Sequence, residues 1–188
     1  MAIIHQATLT PTKAELVAAW LPAQSWFDGD AAGLRPVAAY RFDDPAGQVG
    51  IESHLLDAGG DLVHVPLTYR AAELPGAGAS LVGTMQHSVL GTRWVYDGPG
   101  DPVYRAEVLR VVRERDTEVR LFVETPEGPV EREPSMRVRG SGPADVGAGP
   151  GELAVVRRPL RDGGGPARAT LTGTWPGQDE PVVLVRLV

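Results

Sequence analysis

Hydrophobic positions change their period along this chain, and each change predicts an element. Leu16, Val17, Trp20 and Leu21 recur as a helical stripe behind Thr12-Lys13-Ala14-Glu15. That quartet is a capping-box pattern, in which the threonine and glutamate satisfy free amides at a helix start. A helix ending near Pro22 follows, preceded by a short strand over 2–8. Apolar residues then dominate 34–42, 48–56 and 62–70, which predicts three strands in an antiparallel meander. The first hairpin is expected to close with Asp43 opposite Gln48, and the second to turn on Ala58-Gly59-Gly60. Phe42 then faces Val49, Tyr40 faces Ile51, Leu55 faces Val63 and Ile51 faces Leu67, one apolar set that a one-residue slip would scatter. The same register sets His54 opposite His64 on the other face.

Farther on, Asp101-Pro102 is a helix start, an acceptor side chain followed by proline at the first helical position. Tyr104, Val108, Val111 and Val112 form its apolar stripe, with Glu107, Arg110 and Glu114 opposite. A strand is expected over 117–124. The stretch 125–151 is rich in Pro, Gly and acids, with 136–139 as a short strand inside it. Apolar runs over 152–157, 168–175 and 181–188 are linked by Gly/Pro turns. The expected architecture is therefore α+β. A helix-flanked antiparallel β-meander over 1–124 leads through a connector, 125–151, to a second small antiparallel β unit over 152–188 packed on the first. One cooperative body is expected, because the connector is short enough to let the sheets dock.

Composition narrows the chemistry. The hydrophobic fraction of 43% builds a core, but with aromatics at only 6% Val, Leu and Ala must fill most of it. A net charge of −6 argues against non-specific nucleic-acid binding, which needs cations opposite phosphates. The arginine-rich stretch 101–139 holds eight arginines and nine acids, so it makes no basic patch. There is no cysteine, hence no disulfide, thiolate zinc site or cysteine nucleophile. The N-terminus lacks a basic start and a long apolar run, and no stretch approaches the ~20 residues of a membrane span. A cytoplasmic protein with no membrane association is expected.

Three stretches carry a family resemblance: Leu21-Pro22-Ala23-Gln24-Ser25-Trp26-Phe27-Asp28-Gly29-Asp30, Val65-Pro66-Leu67-Thr68-Tyr69-Arg70, and Val95-Tyr96-Asp97-Gly98 leading to Asp101-Pro102-Val103-Tyr104. They resemble the N-terminal cap of actinobacterial maltokinases and related glucosamine kinases, over about the first 115 residues. The resemblance implies a curved antiparallel sheet with helices, and a place in α-glucan, maltose or trehalose metabolism. Two places depart from the family pattern: Ser25 and Asp30 stand where the kinases usually have arginine and lysine. No His-Gly-Asp catalytic loop occurs in these 188 residues. Kinases of the protein-kinase type grip the nucleotide phosphates with a strand lysine. Seventeen of the eighteen basic residues here are arginine, and the one lysine, Lys13, precedes the meander. Arginine, planar and forked, does not simply replace that point charge.

Between 83 and 97 lies the densest set of versatile side chains. His87, Arg93, Trp94, Tyr96 and Asp97 are of the types that line carbohydrate sites, where aromatic faces stack on sugar C–H surfaces and Arg and Asp bind hydroxyls. They are the candidate ligand-binding residues. The alternative is structural, with Trp94 and Tyr96 packed between sheet and helix and Arg93 paired with an acid such as Asp97. In that case Trp94→Ala should cost about 3–5 kcal/mol. His87-Ser88 lacks an elbow motif and an orienting acid, so hydrolase chemistry is not expected. His54 and His64, if paired, would offer a metal two ligands where catalytic zinc takes three, so no metal is expected. The loop Glu73–Gly78 has no Gly-Lys-Ser/Thr ending to cradle phosphate. The leading expectation is a non-catalytic accessory or regulatory protein without a cofactor, whose partner is a kinase, a glucan-metabolising enzyme or a small sugar. The alternative is a sugar- or sugar-phosphate-acting enzyme using Arg93, Asp97 and His87. A further reading is a homodimer formed through Val182-Val183-Leu184-Val185, taken as an exposed edge.

Overall fold

A computed structural model describes residues 2–4, 7–125, 127–142 and 152–188. Its centre is a six-stranded antiparallel sheet built from β2 (Leu9–Thr10), β3 (Arg35–Asp43), β4 (Gly50–Asp57), β5 (Leu62–Arg70), β6 (Leu81–His87) and β7 (Gly91–Asp97). Their order across the sheet is β2-β6-β7-β5-β4-β3. The short N-terminal strand β1 (Ala2–Ile4) lies elsewhere, parallel to β8 (Leu121–Thr125), which forms a hairpin with β9 (Gly128–Arg132). A four-stranded sheet combines β10 (Arg137–Gly140), β11 (Leu153–Val155), β12 (Ala169–Trp175) and β13 (Gln178–Leu187) in the order β10-β12-β13-β11. The expected α+β class, with a meander and a second β unit, holds.

Both predicted helices form where their caps place them. In α1 (Lys13–Trp20) the Thr12 side chain accepts from the Glu15 amide, and the Glu15 carboxylate accepts from the Thr12 amide at 2.8 Å. In α2 (Pro102–Glu114) the Asp101 carboxylate accepts from the Val103 amide at 2.9 Å. The stripe Tyr104, Val108, Val111 and Val112 is fully buried. Glu107 is not on an open face as expected: it is 4% exposed, held by the Arg110 guanidinium at 2.7 Å. A short third helix, α3 (Pro159–Asp162), sits in the link from β11 to β12.

The central sheet is covered on both sides. On one face Leu16, Val17 and Leu21 of α1 and its following turn pack on Leu56, Val63, Val65, Leu67, Met85 and Val95. The helix comes so close that a Cβ on Gly83 would sit 2.7 Å from Leu16 Cδ1. On the opposite face Tyr40, Phe42, Ile51 and Leu55 share one core with α2 and with Leu171, Leu184, Val185 and Leu187 of the four-stranded sheet.

Double coverage explains where the expected register fails. The first hairpin pairs Asp43 with Gly50, not Gln48, so Tyr40 faces Ser53 and Phe42 faces Ile51. The loop is longer because the Asp44 carboxylate gathers the amides of Ala46, Gln48 and Val49 at 2.9–3.0 Å. The second turn spans four residues: the Ala58 amide donates to the Asp61 carbonyl at 2.8 Å, with Gly59 and Gly60 at positive φ. It pairs Asp57 with Leu62, a one-residue slip that sets Leu55 opposite His64 and His54 opposite Val65. The two histidines therefore point to opposite faces, and the expected pair does not exist. When both faces are apolar, collecting apolar residues on one of them no longer selects a register.

The second β unit also corrects an expectation. Its Val182–Val185 run lies in β13, which pairs with β12 on one side and β11 on the other. That run is interior and is not an edge awaiting cover. Within 125–151, β9 and β10 are strands, the latter close to the predicted 136–139, while the Pro/Gly segment 143–151 lies outside the described residues.

Candidate functional site

Only eight residues long, α1 covers part of its face of the sheet. Beyond its N-terminal end the same strands continue, and their side chains, alternating at period two, now meet open space. The result is a cleft of about 930 Å³, floored by β2 to β7 and walled by the 44–49 loop and the segment after β5. That volume lies in the ~300–1,000 Å³ range of ligand pockets.

Polar groups from four elements converge there. Lys13, the first residue of α1, reaches down to ion-pair with Glu52 of β4 and lies 5.3 Å from the centre of the Tyr69 ring. His54 Nε2 is 3.7 Å from the same carboxylate and 3.2 Å from the Tyr69 hydroxyl. Gly50 stands directly opposite Tyr69 on the neighbouring strand. Burial pushes the Glu52 carboxyl up, but the charges around it, His54 once protonated, then Lys13 and Arg41, outweigh that and hold it at about 2. Burial, reinforced by Lys13 and Arg41, brings His54 down to about 4, so at neutral pH it is an uncharged imidazole beside a carboxylate.

Of the sequence candidates, His87 and Arg93 line this cleft. His87 Nδ1 accepts from the Val89 and Leu90 amides at 3.2 and 3.1 Å, which fixes the β6–β7 turn, and Arg93 donates to the Leu90 carbonyl. The other three stand apart. Tyr96 is 1% exposed, and its hydroxyl accepts from the Leu74 amide at 2.8 Å. Trp94, opposite Arg70 on β5, is half-buried and does not line the cleft. Asp97 ion-pairs with Arg157 and not with Arg93. The Arg93–Asp97–His87 constellation is therefore not assembled.

Asp97 belongs instead to a seam of ion pairs between the sheet and the link after β11. Arg157 also lies 4.7 Å from the centre of the Trp26 ring. Arg158 pairs with Asp28 and, at 3.4 Å, with Asp61, while Arg161 reaches Asp61 at 3.1 Å. The Trp26-Phe27-Asp28 motif thus fastens the meander to the C-terminal sheet. No cluster of three or more metal-ligating side chains occurs among the described residues, and none of their helices is long and apolar enough to cross a membrane.

Lys13, Arg41, Glu52 and Tyr69 were not singled out as site residues by the sequence, since they share no local motif. A signal was present nonetheless: Arg41 and Glu52 are charges inside otherwise apolar strands, and the capping box sets Lys13 at the open end of the helix. No curated protein matches the chain. Residues 20–101, which contain every cleft-lining strand except β2, match the maltokinase N-terminal cap domain, the family this segment is similar to.

Proposed function

We propose that this protein is a cytoplasmic accessory module of maltose, trehalose and α-glucan metabolism that binds a sugar without transforming it. The carrying observation is the open cleft at the end of α1, with Arg, Glu and Tyr side chains around it. Such groups exchange hydrogen bonds with hydroxyls in either direction. The match of residues 20–101 to the maltokinase N-terminal cap domain supports a place in maltose and α-glucan metabolism. A cysteine-free composition is compatible with a reducing compartment. The non-catalytic part rests on the sole lysine, which is engaged with Glu52 at the helix start. The enzymatic alternative loses its support because Asp97 is tied to Arg157, away from Arg93 and His87. A protein partner, a kinase or glucan-metabolising enzyme, would receive the bound sugar or respond to it.

Isothermal titration with maltose, trehalose, glucosamine and their phosphates, with and without ATP, tests this. Sugar binding that is independent of ATP and weakened by Arg93→Gln is expected. Binding that requires ATP, or the absence of any sugar binding, would refute the reading.

A further inference from the structure

The proposed sugar site has a length and a charge, and both select among sugars. Leu9, His87, Arg93, Tyr69, Glu52 and Arg41 represent all six strands of the sheet on the cleft floor. Strands lie about 4.8 Å apart, so a floor crossing six of them runs about 24 Å. That is longer than one or two sugar rings laid end to end.

Charge excludes the obvious anionic ligands. Among the lining residues Lys13, Arg41, Arg70 and Arg93 are matched in number by Asp43, Asp44, Glu52 and Glu73. Two of the cations are committed, Lys13 to Glu52 and Arg70 to the buried Asp101 at 2.6 Å. Arg41, whose charge bears on Glu52, and Arg93 make no direct ion pair among the described residues, and the buried Nε of each lacks an acceptor. Arg93 is turned to the Leu90 carbonyl at the β6–β7 turn while the charge of Arg41 bears on Glu52, and β5 and β4 separate their strands, so the two guanidinium groups do not converge on one point. Three strand intervals put about 14 Å between the chains that carry them. A phosphate is best held by guanidinium groups converging on it. Separated donors over a neutral floor suit hydroxyls spaced along a chain.

We infer that the cleft binds a neutral linear oligosaccharide laid across the strands, with Arg93 and Arg41 holding opposite ends and the Lys13–Glu52–Tyr69 group beneath its middle. This rests on the sugar-binding reading above and specifies its ligand. A monosaccharide or sugar phosphate touches one end only. A longer chain engages both.

Titration calorimetry with maltose, maltotriose, maltotetraose and maltohexaose, alongside glucose 1-phosphate and inorganic phosphate, decides the matter. Affinity should rise at least tenfold from maltose to maltotetraose and then level off as the cleft is spanned. Arg41→Gln and Arg93→Gln should each weaken maltotetraose roughly tenfold, while at most one of them affects maltose. Unchanged melting temperatures would show that both variants remain folded. Glucose 1-phosphate binding tighter than maltotetraose, or an affinity independent of length, overturns this inference and leaves sugar binding standing. No binding by any of the sugars overturns both.

Discussion

His54 and His64 sit on neighbouring strands of one sheet, yet the two faces they occupy do different work. His64 faces inward and is fully buried. Its Nδ1 donates to the Val156 carbonyl at 3.3 Å, which leaves Nε2 to accept from the Tyr40 hydroxyl at 3.1 Å. That face lies under an entire second layer. His54, on the face of α1, shares its surroundings with Glu52, Lys13 and Arg41, which line an open cleft. The difference follows from coverage. A helix of 13 residues and a four-stranded sheet seal one face, while a helix of eight leaves the end of the other exposed. Charge is retained where coverage stops.

The largest expected contrast lies in truncation of the two faces. Tyr104, 0% exposed in the shared core, should cost about 3–5 kcal/mol on replacement by alanine, measured by urea unfolding. Tyr104→Phe should cost under about 1 kcal/mol, because its hydroxyl makes no hydrogen bond among the described residues. The half-buried Tyr69 on the cleft face should lose only about 1–2 kcal/mol as alanine. Equal losses at Tyr104 and Tyr69 would erase the distinction between a sealed and an open face.

Asp101 gives a comparable effect through charge. Its carboxylate, 0% exposed, accepts from Arg70 at 2.6 and 2.7 Å, from Thr68 at 2.8 Å and from the first turn of α2. Asp101→Ala leaves Arg70 without its counter-charge and should cost about 3–5 kcal/mol. Removing the Asp57 carboxylate, whose partner Arg35 is 76% exposed, should cost far less than Asp101→Ala, because solvent screens the pair.

Much of this was legible in the sequence, and the failures have a common cause. Caps are local: Thr12 with Glu15, and Asp101 with Pro102, announce both long helices from adjacent residues. The strands of the C-terminal sheet were legible for the same reason, each bounded by Gly/Pro turns. Register is not local. It depended on how many residues the 44–49 loop and the 58–61 turn absorb, which an Asp44 side chain and two glycines decide. Because that register brings the Lys13, Arg41, Glu52 and Tyr69 side chains of the cleft together from α1, β3, β4 and β5, they could not be collected by reading along the chain. The 83–97 segment looked like a single site because it is dense. As a hairpin it distributes His87 and Arg93 to the cleft, Tyr96 to the inner face and Asp97 to the ion-pair seam.

Acid should then weaken both faces in a defined window. Both histidines are held below their ordinary value of 6.5 chiefly by burial, His54 at about 4 and His64 at about 3. The unfolded chain takes up protons near 6.5 that the folded one refuses, so stability is complete above that pH and falls below it. Glu52, held at about 2, adds its own loss only below about 4.5. Between pH 6.5 and 4.5 each histidine should therefore remove roughly 1 kcal/mol per pH unit. His64→Gln should about halve that slope in urea titrations run across the window. An unchanged slope would mean that His64 is protonated in the folded protein.

The smallest effect sharpens the comparison most, because it separates the cleft's charge from its packing. Lys13 is one-third exposed, and its ion pair with Glu52 is partly screened by solvent. Lys13→Met keeps the stem that lies over Tyr69 and removes only the ammonium, so it should cost about 0–1 kcal/mol, the range of partly exposed pairs. Arg41 remains near Glu52 to offset the carboxylate. The imidazole of His54 should respond more clearly. Lys13 is one of the cations that disfavour its protonated form, and Glu52 is the anion that favours it. Deleting the cation while keeping the anion should raise the His54 value, read from the pH dependence of its imidazole resonances, with His64 on the far face barely moving. A large stability loss, or a His64 shift equal to that of His54, would mean that the two faces are one electrostatic unit and that the cleft is an extension of the core.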